Sequence, residues 1–257
     1  MEHRRPYGDL LGRSRTEEGW DRRLTTDVEE ALAGQDRRVR NVVEAVVSRS
    51  VAVGSEGVAL MGSTARGRRT PISDIDFLVV GSRPGLDDLP MEIDIRALHR
   101  DEVLRRVRSG DEYLQWALRF GCIVHDTGVL RQAAQAVLRT GSWPDAERKR
   151  GHAQTLLGLA TRILGSGDRE AAEESVRACL TALAHWILLA NQVFPLSRDE
   201  LSDQILELGS FDLAAALHRS IHSEPDLDEL ETMLRLVRHA IELTPGRAGR
   251  AALPNAA

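Results

Sequence analysis

Gly62-Ser63, Asp74, Asp76 and Asp94 are the residues whose types and spacing could do chemistry in this chain. Glycine lets an anion approach the backbone closely. A helix that begins at such a bend aims its unpaired amides at the same spot, and the Ser63 hydroxyl adds one more donor. Ten residues separate Ser63 from Asp74-Ile75-Asp76, which opens an apolar run. In a strand, residues i and i+2 share a face, so Asp74 and Asp76 stand side by side and Ile75 points the other way. Two neighbouring carboxylates repel unless a cation sits between them, and hard oxygen donors suit Mg²⁺ or Mn²⁺. Asp94 lies between Ile93 and Ile95, on the polar face of a second alternating run. With its strand beside that of Asp76, three carboxylates converge. That is enough to hold two ions roughly 3.5–4 Å apart, the arrangement that stabilises both attacking and leaving oxygens in phosphoryl transfer. Arg66, one helical step past the bend, can neutralise phosphate charge. Arg68 and Arg69 read as solvated loop charges.

The elements that must position these residues follow from periodicity. A helix is expected from Thr25 to Ser50, capped by Thr26 or Asp27, with Val28, Ala31, Val39, Val42, Val43 and Val46 among its apolar positions. Short strands are expected at Val58–Met61, Ile75–Val80, Met91–Ala97 and Gly121–Asp126, and helices at Asp101–Ser109 and Asp111–Phe120. After Trp143-Pro144, alanine and leucine dominate. Helices are expected near 145–164, 169–193, 198–208, 210–222 and 226–243, with Asp168, Ser197, Ser210 and Asp226 in N-cap positions. The fold class is therefore α+β: a domain with a small mixed sheet over residues 24–140, then an all-helical bundle over 141–243. Residues 1–23 read as a polar, arginine-rich arm and 244–257 as a disordered tail.

Composition narrows the function. The chain has 257 residues, 42 % of them apolar, and 34 basic against 39 acidic side chains give a net charge of −5. No global basic surface awaits nucleic acid, which disfavours non-specific DNA binding. Two cysteines, Cys122 and Cys179, exclude a disulfide scaffold and fit a reducing cytoplasm. No targeting segment or membrane span is legible, so a cytoplasmic location is expected.

The pattern Gly62-Ser63, ten residues, Asp74-x-Asp76 and then Asp94 between aliphatics resembles the DNA polymerase β-like nucleotidyltransferase superfamily. The run GSTARGRRTPISDIDFLVV is similar to that of bacterial minimal and aminoglycoside nucleotidyltransferases, in which a helical bundle follows the catalytic domain. The resemblance covers residues 40–100. It implies a metal-dependent nucleotidyltransferase, an adenylyltransferase that moves AMP from ATP to a hydroxyl with release of pyrophosphate. It also implies Mg²⁺, two ions, with Mn²⁺ as a substitute. Asp74, Asp76 and Asp94 would be the catalytic metal ligands, Asp94 nearest the nucleophile. Gly62, Ser63 and Arg66 would bind the nucleotide, and ATP would be the co-substrate. A small, aminoglycoside-like acceptor ranks first, because a second domain can wall off a pocket. A protein or tRNA acceptor of the toxin–antitoxin kind ranks second, and a non-catalytic nucleotide-binding module third.

Several further residues read as structural or solvated. Cys122 and His125, three apart on a strand, are expected on opposite faces. The acidic cluster Asp87, Asp88 and Glu92 could draw a cationic substrate but reads as a solvated loop. Trp186 could stack on a substrate, yet with His185 it lies in the most apolar helix and reads as core. Glu173 and Glu174 could supply a base from the bundle; exposed helix acids are the default reading.

Overall fold

The computed structural model describes residues 32, 35–69, 73–86, 88–89 and 93–243. The arm at 1–23, the tail at 244–257, and Asp87 and Glu92 lie outside the described residues. The chain divides into two compact units at the Pro144–Asp145 junction.

The first unit is a four-stranded sheet between helical layers. Helix α1 (Arg37–Ala52) starts where the Asp36 side chain accepts from the Val39 amide at 2.9 Å. Val39, Val42, Val43 and Val46 form its buried stripe. The continuous helix expected over 25–50 is interrupted, because Gln35 lies in a bend and Asp36 is a new N-cap. Strand β1 (Gly57–Leu60) runs into a one-turn helix, α2 (Gly62–Ala65), and then comes β2 (Ile75–Val80). Strand β3 (Ile93–Leu98), helices α3 (Arg100–Arg108) and α4 (Glu112–Phe120), β4 (Cys122–Asp126) and helix α5 (Val129–Thr140) complete the unit. The sheet order is β3-β2-β1-β4. β1 pairs antiparallel with β2 and β4, whereas β2 and β3 are parallel. The two central strands are buried on both faces, which is why IDFLVV reads as an almost unbroken apolar run.

Alternation along β2 sorts the two cores. Ile75, Phe77 and Val79 pack with the valines of α1, while Leu78 and Val80 pack with Val103 of α3, Leu114 of α4 and Leu130 of α5. Asp76 shares the face of Leu78 and Val80 and lies where that second core layer ends. Helix α5 has no counterpart among the expected elements. Asp126 caps it, accepting from the Leu130 and Arg131 amides at 2.9 and 3.1 Å, and Gly141 ends it in a left-handed conformation.

The second unit is all-helical. Helices α6 (Ala146–Ser166) and α7 (Arg169–Ala190) form a hairpin across Gly167 and Asp168, and the Asp168 side chain caps α7. A 3₁₀ turn (Arg198–Glu200) leads into α8 (Leu201–Glu207), followed by α9 (Phe211–His222) and α10 (Leu227–Leu243). Asp226 and Glu229 cap the start of α10 reciprocally: each carboxylate accepts from the other residue's amide. Ser197 and Ser210 occupy cap positions without making a side-chain cap bond. No described helix is long and apolar enough to cross a membrane.

Candidate active site

The end of β1 sets the geometry. Opposite Leu60 on β1 stands Phe77 of β2, and the ladder continues one step further as the Met61 amide donates to the Asp76 carbonyl at 2.8 Å. Met61 is extended, and Gly62 then turns the chain with φ +63°. A side chain is excluded at Gly62 twice over. The backbone is left-handed, and an added Cβ would lie 2.0 Å from Asp76 Oδ2. The bend therefore closes directly onto the Asp76 carboxylate. Helix α2 is a single turn, so it brings no macrodipole of consequence; the anion-binding capacity of the bend lies in amides at its start, which have no intrahelical acceptor. The Gln35 side chain braces the turn by donating to the Thr64 carbonyl at 2.8 Å.

Two of the three acids sit on neighbouring strands, and Asp74 lies just before β2. Asp76 and Asp94 are register partners of the parallel β2–β3 pair, so their side chains leave the same face. Asp74 lies two residues before Asp76. Asp74 and Asp94 are exposed and Asp76 is half-buried. Burial, and then the charges of Asp74 and Asp94, push the Asp76 carboxyl up to about 6. Asp76 and Asp94 thus leave one face, Asp74 acts on Asp76 through its charge, and the bend touches Asp76. Among the described residues, however, no three His, Cys, Asp or Glu side chains are already gathered into a cluster that could hold a metal ion.

Two residues that spacing did not single out border the acids. Arg96 follows Asp94 by two on β3 and so shares its face. Its guanidinium lies 4.4 Å from the ring centroid of Tyr113 on α4. Burial pushes the Tyr113 hydroxyl up to about 12; Arg96 opposes this, while Asp76 and Asp94 add to it. On the bend side, the half-buried Arg66 places its guanidinium 5.4 Å over the ring of Phe120. Arg69 donates to the Ser73 carbonyl at 3.0 Å, tying the loop to the approach of β2. The signal for Arg96 was its i+2 spacing from Asp94; Tyr113 had none, because its contact is tertiary.

The remaining candidates fall elsewhere. Asp88 forms a two-armed pair with Arg49, at 2.5 and 2.7 Å, which holds its carboxyl down at about 2. Cys122 and His125 share a face rather than opposing one another. A bulge at Val124 leaves Cys122 opposite Leu60 and His125 opposite Val58, and Leu60 and Val58 are themselves i and i+2. Trp186 is buried in the bundle core, with Arg150 over its ring at 5.3 Å. Glu173 and Glu174 are both ion-paired with Arg177.

Residues 39–115 match the family model of the nucleotidyltransferase domain. The chain carries a nucleotidyltransferase domain. The match begins on α1 and ends on α4, so this nucleotidyltransferase domain includes the bend, all three acids, Arg96 and Tyr113. Among solved structures, a nucleotidyltransferase-like protein from Exiguobacterium sibiricum 255-15 is similar at 16 % identity, over 80 % of this chain and 75 % of its own, with a TM-score of 0.43. No curated protein matches the chain.

Proposed function

We propose that the protein is a metal-dependent nucleotidyltransferase that moves a nucleoside monophosphate, AMP from ATP, to a hydroxyl of a small molecule. The observation that carries this reading is the closure of Gly62 onto Asp76, which gives a phosphate-binding bend and a carboxylate row one common place. In this reading Gly62 and Ser63 hold the triphosphate, the bend through its amides and Ser63 through its hydroxyl. Arg66 offsets the charge of the outer phosphates. Asp94 accepts the proton of the acceptor hydroxyl. The hydroxyl oxygen bonds to the α-phosphorus as the bond to the bridging oxygen breaks, and pyrophosphate departs.

A divalent cation fits the donor set. Asp76 and Asp94 offer hard carboxylates from one face, and Asp76 is raised to about 6 by burial and by the charges of Asp74 and Asp94. Asp74 and Asp94 are exposed. Asp74, Asp76 and Asp94 would hold Mg²⁺ or Mn²⁺. Bound there, the metal supplies charge neutralisation for the triphosphate and the developing transition state. The site of action would be the cytoplasm, where nucleoside triphosphates are at hand. A cationic, aminoglycoside-like acceptor draws no support from Asp88, whose carboxylate is engaged by Arg49.

The test is release of pyrophosphate by the full chain with Mg²⁺, each of the four nucleoside triphosphates and a panel of hydroxyl compounds that includes aminoglycosides. Release should require Mg²⁺ and fall about a hundredfold or more in Asp76→Asn. Full activity in Asp76→Asn, or no release with any nucleotide and acceptor, would overturn the proposal.

A further inference from the structure

We infer that Arg96, seated on Tyr113, receives an anionic group of the acceptor, so that the hydroxyl modified belongs to a phosphorylated or carboxylated molecule. The inference rests on the proposed reaction and specifies its acceptor. It starts from the order of the parts across the sheet. The bend follows β1 and touches Asp76 on β2, while β3 is an edge strand carrying Asp94 and Arg96. Attacking and leaving oxygens stand roughly in line across a transferred phosphoryl group. A triphosphate anchored at the bend therefore leaves the β3 edge to the acceptor.

Arg96 is the cation that such an acceptor meets. Its side chain is exposed, and among the described residues it forms no ion pair, although Asp94 is only two positions away. Arg106 also bears on Tyr113 but is spent on Asp111 at 2.8 Å and Glu102 at 3.1 Å. A guanidinium held over an aromatic ring keeps edge N–H donors that suit a planar or tetrahedral oxyanion, and among the described residues none accepts from Arg96. Tyr113 is half-buried, and its neighbour Leu114 is fully buried in the second core layer, so the seat itself is rigid. A fixed guanidinium at this edge attracts an acceptor that carries phosphate or carboxylate and repels one that carries ammonium.

Four hexoses of one shape and different charge test this: glucose, glucose 6-phosphate, glucuronate and glucosamine. Their binding to the full chain, saturated with Mg²⁺ and a non-hydrolysable ATP analogue, is read by calorimetry. The two anionic sugars should bind about tenfold more tightly than glucose, and glucosamine more weakly than glucose. Arg96→Gln should bring all four together, and Arg96→Glu should make glucosamine the best ligand, with melting temperature monitoring the fold. The phosphate and carboxylate arms show which oxyanion is preferred. No preference for the anionic sugars in the wild type, or a preference that survives in Arg96→Gln, would overturn the inference. Failure of the underlying reaction shows differently, as no Mg²⁺-dependent binding of the ATP analogue.

Discussion

Asp76 is where burial and like charge meet. Its carboxyl is raised from 3.8 to about 6 by desolvation and by Asp74 and Asp94. The folded protein therefore holds a proton there that the unfolded chain has already lost between pH 4 and 6. Stability is not penalised below about pH 4, falls as the pH rises through that window, and carries the full penalty above it. Asp76→Asn removes the penalty, so in metal-free buffer at pH 7 the variant should melt above the wild type. The gap should close at pH 4. Equal melting temperatures at pH 7 would show that the ionised Asp76 carboxylate carries no such penalty. Gly62→Ala acts in the opposite sense, because a left-handed backbone costs about 1–2 kcal/mol for a residue with a Cβ and the new methyl meets Asp76. The variant should be destabilised by at least that amount in chemical denaturation and should lose nucleotide binding. The turn at Gly62 and the alignment of Asp76 with Asp94 stand where spacing places them. Arg96 and Tyr113 were not legible from it. A charge on an edge strand looks like a solvated face, and an aromatic one turn into a helix looks like core.

At the level of elements, strands were easier to read than helix boundaries. Ile75–Val80 stands where its β-branched and aromatic run places it, and the register of β2 with β3 then aligns Asp76 with Asp94. Helix α1 was misjudged because Val28, Ala31 and the later valines continue one periodic stripe in the sequence across the stop at Gln35 and Asp36. Helix α5 was missed because Gly128 and the arginine- and glutamine-bearing face of 129–140 masked the spacing of Val129, Leu130, Ala133, Ala134 and Val137. The bulge in β4 reversed the expected faces of Cys122 and His125, and a bulge leaves no mark in a run of five residues. In the bundle, the fully buried Gln204 donates to the Phe194 carbonyl at 3.0 Å and accepts from the Leu196 amide at 2.9 Å, pinning the turn around Pro195. Gln204→Leu removes both buried hydrogen bonds, and should cost about 2–4 kcal/mol in urea unfolding. A loss below about 0.5 kcal/mol would show that the α7–α8 connection is held by its apolar contacts alone.

On the scale of the whole molecule, the two compositional regimes on either side of Trp143-Pro144 correspond to an α+β unit and a helical unit. The parallel pairing of β2 with β3, across a connection of 12 residues, aligns Asp76 with Asp94 from separate stretches of sequence. A net charge of −5 places no general attraction for polyanions on the surface, so under the proposed function the affinity for a nucleoside triphosphate would have to come from the proposed site and the cations it would hold. The most direct measurement is therefore calorimetric titration of the full chain with a non-hydrolysable ATP analogue, with and without Mg²⁺, for the wild type, Asp76→Asn and Gly62→Ala. The account predicts binding that requires Mg²⁺ and weakens about tenfold or more in both variants. Binding indifferent to Mg²⁺, or retained at full strength in both variants, would contradict it.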